Sequence, residues 1–186
     1  ARLRPDIELV ELRGNVPTRV EKLRNGDFDA IILAAAGLRR LGLEQHISEL
    51  LSLEEFPPAV SQGAIGVCMR TGDAQTGRWL QALDDRASRL ATTAERALLR
   101  RLEGGCQVPL GAIGSLQGES LSLHAAVCAL DGSKMLRASS AVGPKPLTTA
   151  DAVSVGQRVA EDLLSEGAAQ LIANERTART LAAEEP

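Results

Sequence analysis

The sequence predicts an α/β segment followed by an α+β domain. Two observations carry this reading. Over the first 43 residues strand-like and helix-like stretches alternate, and one of them, Asp29-Ala-Ile-Ile-Leu-Ala-Ala-Ala36, is a continuous apolar run of the kind a parallel sheet buries on both faces. Further on, a long amphipathic helix precedes three strand-length stretches separated by turn signals, the pattern of an antiparallel sheet. With 186 residues, 44% hydrophobic and 24% charged, the chain suffices for one large domain or two modest ones and is not composed like a disordered one.

The elements follow in order. Ile7 to Leu12 alternates apolar and acidic residues and reads as a strand. Arg13-Gly14-Asn15 makes a turn, Asn15 is a good N-cap, and Pro17 fits the first turn of a helix running to about Asn25, where Gly26 ends it. The run 29–36 is the next strand, and Gly37 to Leu41 starts a short helix. Pro57-Pro58 marks a break, after which Ala64 to Met69 reads as a strand and Asp73 to Leu83 as a helix. Asp85 to Glu103 is the strongest helix, with Ala87, Leu90, Ala91, Ala94, Ala97, Leu98 and Leu102 at helical spacing. Strands are expected over 107–113, 119–129 and 136–142, divided by Gln117-Gly118 and Asp131-Gly132. A last helix spans about 149–174 with a break near Gly167.

Composition narrows the function classes. The net charge of -3 and an aromatic content of 2% with no Tyr argue against nucleic acid as a partner. No apolar run approaches the roughly 20 residues of a membrane helix, so no membrane association is expected. The N-terminus, Ala-Arg-Leu-Arg-Pro, has no initiator Met and no signal-peptide core, and reads as a chain already under way. Cys68, Cys106 and Cys128 form no C-x-x-C pair, which argues against a zinc site and for a reducing, cytoplasmic setting. Of 21 basic residues 18 are Arg, a bias that either genome composition or carboxylate recognition explains. Residues 1–43 hold eight basic and six acidic side chains against 13 and 18 in the remainder, so the first segment is the better place for an acidic ligand.

A parallel sheet binds ligands at the carboxyl ends of its strands. Arg13 follows the first expected strand, Ala34 to Gly37 the second, and Arg19 lies early in the first helix, whose N-terminus favours anions. Arg13, Arg19 and Arg40 thus converge on one candidate anion-binding edge, while each on its own also reads as a solvated surface arginine. Cys106 follows a helix C-terminus on a Gly-rich loop, where nothing lowers a thiol pKa, and neither His46 nor His124 makes an obvious Cys–His pair. On composition alone Cys106, like Cys68 and Cys128 within their expected strands, is a small buried hydrophobe.

Leu102-Glu-Gly-Gly-Cys-Gln-Val-Pro109 resembles the cofactor-attachment motif of the porphobilinogen deaminases (hydroxymethylbilane synthases), whose cysteine holds dipyrromethane through a thioether. Leu12-Arg-Gly-Asn-Val-Pro-Thr-Arg19 resembles the arginine loop of that family, and Asp29-Ala-Ile-Ile-Leu-Ala34 and Ala36-Gly-Leu-Arg-Arg-Leu-Gly42 resemble its next strand and helix. Pro58-Ala-Val-Ser-Gln-Gly-Ala64 and Ala94-Glu-Arg-Ala97 fit as well; these motifs stand in the same order as in the family, and the resemblance covers nearly the whole chain, up to about residue 173. Ser61 departs from the pattern, since many members have Gly there.

The resemblance implies a doubly wound, periplasmic-binding-protein-like pair of α/β domains followed by a small antiparallel-sheet α+β domain. Residues 1–57 would be the later part of the second α/β domain, 58–84 a crossover segment completing the first, and 85–186 the C-terminal domain with the cysteine loop. It implies a transferase of tetrapyrrole (haem) biosynthesis that condenses four porphobilinogen units on a dipyrromethane primer and releases ammonia each time. Cys106 would be the covalent anchor, Arg13, Arg19 and Arg40 would bind pyrrole carboxylates, and Leu33, Ala34, Gln62 and Gly63 would lie near the bound pyrroles. The catalytic aspartate, its partner lysine, a serine and a pair of adjacent arginines would lie upstream of Ala1, so these 186 residues alone are expected not to turn over porphobilinogen and to be poorly stable, with apolar sheet edges left unpaired. A monomer is expected. The competing reading is a periplasmic-type small-anion binding module without catalysis. A regulatory fragment with a structural Cys106 is the third.

Overall fold

A computed structural model describes residues 4–102, 109–174 and 177. The chain divides into two compact units, one over residues 3–52 and one over 53–186.

The first unit is built on two helices. Helix α1 (Val16–Arg24) starts where Asn15 caps it: the Asn15 side chain accepts from the Thr18 N–H at 2.9 Å and from the Thr18 hydroxyl at 2.7 Å. Pro17 occupies the first turn, where a missing N–H costs nothing. Helix α2 (Ala35–Arg40) begins two residues before the expected Gly37, because the alanine run that reads as a strand end is also the best helix-forming composition. Val20 of α1 and Leu38 of α2 are the buried residues of the two helices. The strands expected over 7–12 and 29–36 form no ladder among the described residues, and Ile7, Leu9, Val10 and Ile32 are exposed. A strand exists through its pairing, and neither segment has a partner here.

The second unit is an α+β sandwich. Helix α3 (Ala74–Gln81), capped by Asp73, buries none of its residues. The expected strand over 64–69 carries no ladder, and Cys68 is exposed, which corrects its reading as a buried strand residue. Helix α4 (Arg86–Arg101) turns Leu90, Ala94, Ala97 and Leu98 inward. Strands β1 (Leu110–Gln117), β2 (Ser120–Cys128) and β3 (Met135–Val142) form an antiparallel sheet in the order β1-β2-β3. β1 runs past the expected end at Ile113, because its hairpin with β2 turns only at Gly118 and pairs Gln117 with Ser120. Helix α5 (Thr149–Ser165) closes the layer, and the chain is helical again over 168–174 after a left-handed Gly167.

One sheet face is the core. Leu110, Ala112, Leu121, Leu123, Ala125, Val127 and Leu136 point at α4 and α5, and meet Leu98, Val155, Val159 and Leu163. The helices approach closely at Gly156, where a Cβ would lie 2.2 Å from the Ala94 carbonyl oxygen. The opposite face is partly roofed. Gly111, Ala126 and Arg137 share one row across the three strands. A Cβ at Gly111 would meet the Pro57 carbonyl oxygen at 2.3 Å, and Arg137 donates across the sheet to the carbonyl oxygens of Glu54 and, at 3.1 Å, of Glu55. Ala126, between them, is 6% exposed. Segment 54–59 therefore lies on the sheet's outer face and ends on the edge of β1, where the Ala112 N–H donates to the Pro58 carbonyl oxygen at 2.8 Å and Ala59 bridges to Gly111.

Candidate functional site

In the first unit the candidate residues gather at the entry to α1. The Arg13-Gly14-Asn15 turn is held by the Asn15 cap, and Arg19, one turn into the helix, folds back so that its Nε donates to the Gly14 carbonyl oxygen at 2.7 Å. Arg19 is thereby half-buried beside the turn that carries Arg13. The first turn of α1 has no acidic residue. Pro17 has no N–H, and the N–H groups of Thr18 and Arg19 donate to the side-chain and main-chain oxygens of Asn15, so the positive charge near this turn is that of the Arg13 and Arg19 guanidiniums. Arg13 is exposed and makes a two-pronged pair with Glu11, both contacts at 3.1 Å. That pair is worth little in water and is readily exchanged for another carboxylate.

Leu33 and Ala34 lead into α2; Leu33 is half-buried and Ala34 exposed. Gly37 lies against Val16, so the start of α2 packs beside the start of α1. Arg40, the last residue of α2, is exposed. Arg13 and Arg19 are joined through Gly14, whereas no contact links Arg40 to either among the described interactions.

In the second unit Gln62 and Gly63 are exposed and follow Ser61 in a tight turn. Ser61 has φ 61° and is the non-glycine residue with left-handed backbone among those described. It is held from three directions. Its N–H donates to Glu95 Oε2 at 2.6 Å, its hydroxyl accepts from Arg96 Nε at 3.0 Å, and the Gln62 N–H donates to the Ala59 carbonyl oxygen at 3.0 Å. Glu95 is 6% exposed, and its other oxygen accepts from the Gly114 N–H of β1 at 2.8 Å. Cys106 lies outside the described residues.

Glu95 and Arg137 escaped notice as functional candidates in the sequence. A signal existed for Glu95: it stands four residues after Ala91 and three before Leu98, on the apolar stripe of α4, where a carboxylate must find buried donors. Arg137 had none, because its partners are backbone carbonyls some eighty residues away.

Residues 1–78 match the family model described as porphobilinogen deaminase, dipyromethane cofactor binding domain, and residues 89–165 match porphobilinogen deaminase, C-terminal domain. A porphobilinogen deaminase of Roseiflexus castenholzii (strain DSM 13941 / HLO8) is 51% identical over 171 residues, which are 92% of this chain and 54% of the relative. One of Roseiflexus sp. (strain RS-1) is 50% identical over the same shares. The chain spans about half the length of these curated relatives. Two models of one family, in chain order, account for most of the sequence, and the chain belongs to the porphobilinogen deaminase family.

Proposed function

We propose that the protein of which these residues are part is a hydroxymethylbilane synthase, a transferase that joins four porphobilinogen units head to tail on a dipyrromethane primer and releases ammonia at each addition. The observation that carries this is the pair of family matches over 1–78 and 89–165, the first described as binding that cofactor. The donor set fits such a group. Each pyrrole carries an acetate and a propionate, and the turn at Arg13, with Arg19 folded onto Gly14 at the head of α1, offers planar guanidinium forks to carboxylates.

In this reading Cys106 is the covalent anchor through a thioether, and dipyrromethane supplies the nucleophilic pyrrole carbon to which the first unit is added. Arg13, Arg19 and Arg40 bind and orient carboxylates of the growing chain. Such charge-assisted contacts strengthen where a bound ligand excludes water. Leu33, Ala34, Gln62 and Gly63 line the bound pyrroles, with Gln62 and Gly63 presented by the Ser61 turn. Residues 1–57 are the later part of the second domain of a doubly wound, periplasmic-binding-protein-like pair, 58–84 complete the first, and 85–186 form the C-terminal domain. Residues 110–165 supply its three-stranded sheet and last helix. The protein acts as a cytoplasmic monomer on porphobilinogen, without nucleic acid or membrane. No described helix is long and apolar enough to cross a membrane. No observation favours the anion-binding module or the regulatory fragment.

The test is the intact mass of the protein expressed from its full-length gene, beside Cys106→Ser. A mass excess of one dipyrromethane on the wild type alone is expected. A folded wild type without it refutes the assignment.

A further inference from the structure

We infer that Glu95 is the positioning residue of the Ser61-Gln62-Gly63 turn. The inference rests on the deaminase reading, in which Gln62 and Gly63 line the bound pyrroles, and deepens it.

A serine at φ 61° is in a left-handed conformation that L-residues rarely adopt, so something outside the residue must hold it. Glu95 does so from the core side. Its two carboxylate oxygens divide the work: one takes the Ser61 N–H at 2.6 Å, the other the Gly114 N–H at 2.8 Å. The side chain is thus a bracket between the turn and the middle of β1, and at 6% exposure water does not compete for it. Arg96, the next residue of α4, closes the bracket from outside through the Ser61 hydroxyl at 3.0 Å. This contact uses the Ser61 hydroxyl, which a glycine at this position would lack. Segment 54–59 is itself fastened to the sheet by Arg137 and by the Pro58 and Ala59 contacts to β1. The chain therefore arrives at Ser61 along a fixed path, and Glu95 decides how it leaves.

Glutamine cannot replace this carboxylate. Its amide offers one acceptor oxygen and one donor nitrogen, so one of the two N–H groups would face another donor. A turn displaced by even an ångström presents the Gln62 and Gly63 backbone wrongly to a ligand.

The experiment uses the full-length gene product and four variants: Glu95→Gln, Ser61→Gly, the double variant, and Arg101→Ala as control. Arg101 pairs with Glu161 at 2.7 Å and takes no part in the turn. Intact mass selects cofactor-loaded protein, and steady-state kinetics are taken well below the lowest melting midpoint. Glu95→Gln is expected to lower kcat/KM for porphobilinogen at least tenfold, mostly through KM, with Arg101→Ala at the wild-type value. Adding Ser61→Gly to Glu95→Gln is expected to recover threefold or more, because glycine adopts the left-handed turn unaided. A loss of packing alone would lower the melting midpoint and leave the kinetics of loaded protein unchanged; that result overturns the inference. So does a KM effect that Ser61→Gly leaves untouched. A wild type that carries no dipyrromethane refutes the deaminase reading instead, and the inference with it.

Discussion

Gly156→Ala sets two effects of opposite sign against each other. In a helix interior alanine is favoured over glycine by about 1 kcal/mol, so propensity alone would raise stability. Packing opposes it. The new methyl would sit 2.2 Å from the Ala94 carbonyl oxygen, 2.8 Å from Ala97 Cβ and 2.9 Å from the Leu98 N. Two of these atoms are backbone and cannot rotate aside. Relief requires α5 to move from α4 by about 1 Å, and a gap of that size forfeits a quarter to a half of each dispersion contact it opens. The contacts at stake belong to Leu98, Val155 and Val159, all 0% exposed. Overpacking usually costs about 1–3 kcal/mol; with backbone atoms hit it should exceed that, at about 3–4 kcal/mol, and leave a net loss of about 2–3 kcal/mol. For a unit of this size the thermal midpoint should fall by about 6–12 °C. Circular dichroism melts of the full-length protein and its variant read this directly. A midpoint equal to or above the wild type would mean that propensity wins and that the α4–α5 contact is soft.

Two further outcomes follow from the geometry. Asp151 accepts from Lys145 Nζ at 2.6 Å, from the Thr148 hydroxyl at 2.7 Å and from the Thr148 N–H at 2.9 Å, and these hold its carboxyl well below the usual carboxylate range, the lysine contact most of all. A depressed folded value means that the cap's contribution is present above the ordinary carboxylate pKa of about 4 and fades as pH falls below it. Asp151→Asn should therefore melt below the wild type at pH 7, with the difference shrinking at pH 3; an undiminished difference at pH 3 would assign the effect to shape and not charge. Arg19→Ala in the full-length protein should raise KM for porphobilinogen about tenfold or more while leaving the melting midpoint within a few degrees, the mark of a ligand contact. An unchanged KM would return Arg19 to a role in holding the Gly14 turn.

What was legible in the sequence was what local chemistry decides. Asn15, Asp73, Asp85 and Thr148 cap their helices as short polar side chains should, and the expected helices lie within a residue or two of the observed ones. The Gly118 hairpin and the alternation of β2 likewise follow from period and turn. The segments over 7–12, 29–36 and 64–69 have strand composition but no ladder among the described residues, since pairing depends on a neighbour that composition does not specify. Arg13 and Arg19 could be singled out by their place around a turn. Their union through the Gly14 carbonyl is a three-dimensional fact, as is the reach of Arg137 over Ala126.

The Pro57–Ser61 path has a consequence for solubility. In a three-stranded sheet β1 is an edge, and its outward N–H groups would otherwise be an open template for a strand from another molecule. Here the Ala112 donor is spent on the Pro58 carbonyl and the Gly114 donor on Glu95. The two prolines have no N–H to offer in return. The covered edge has no donor left at these two positions for an incoming strand to pair with, so the contacts that shape the Ser61 turn also guard the sheet against edge-to-edge aggregation.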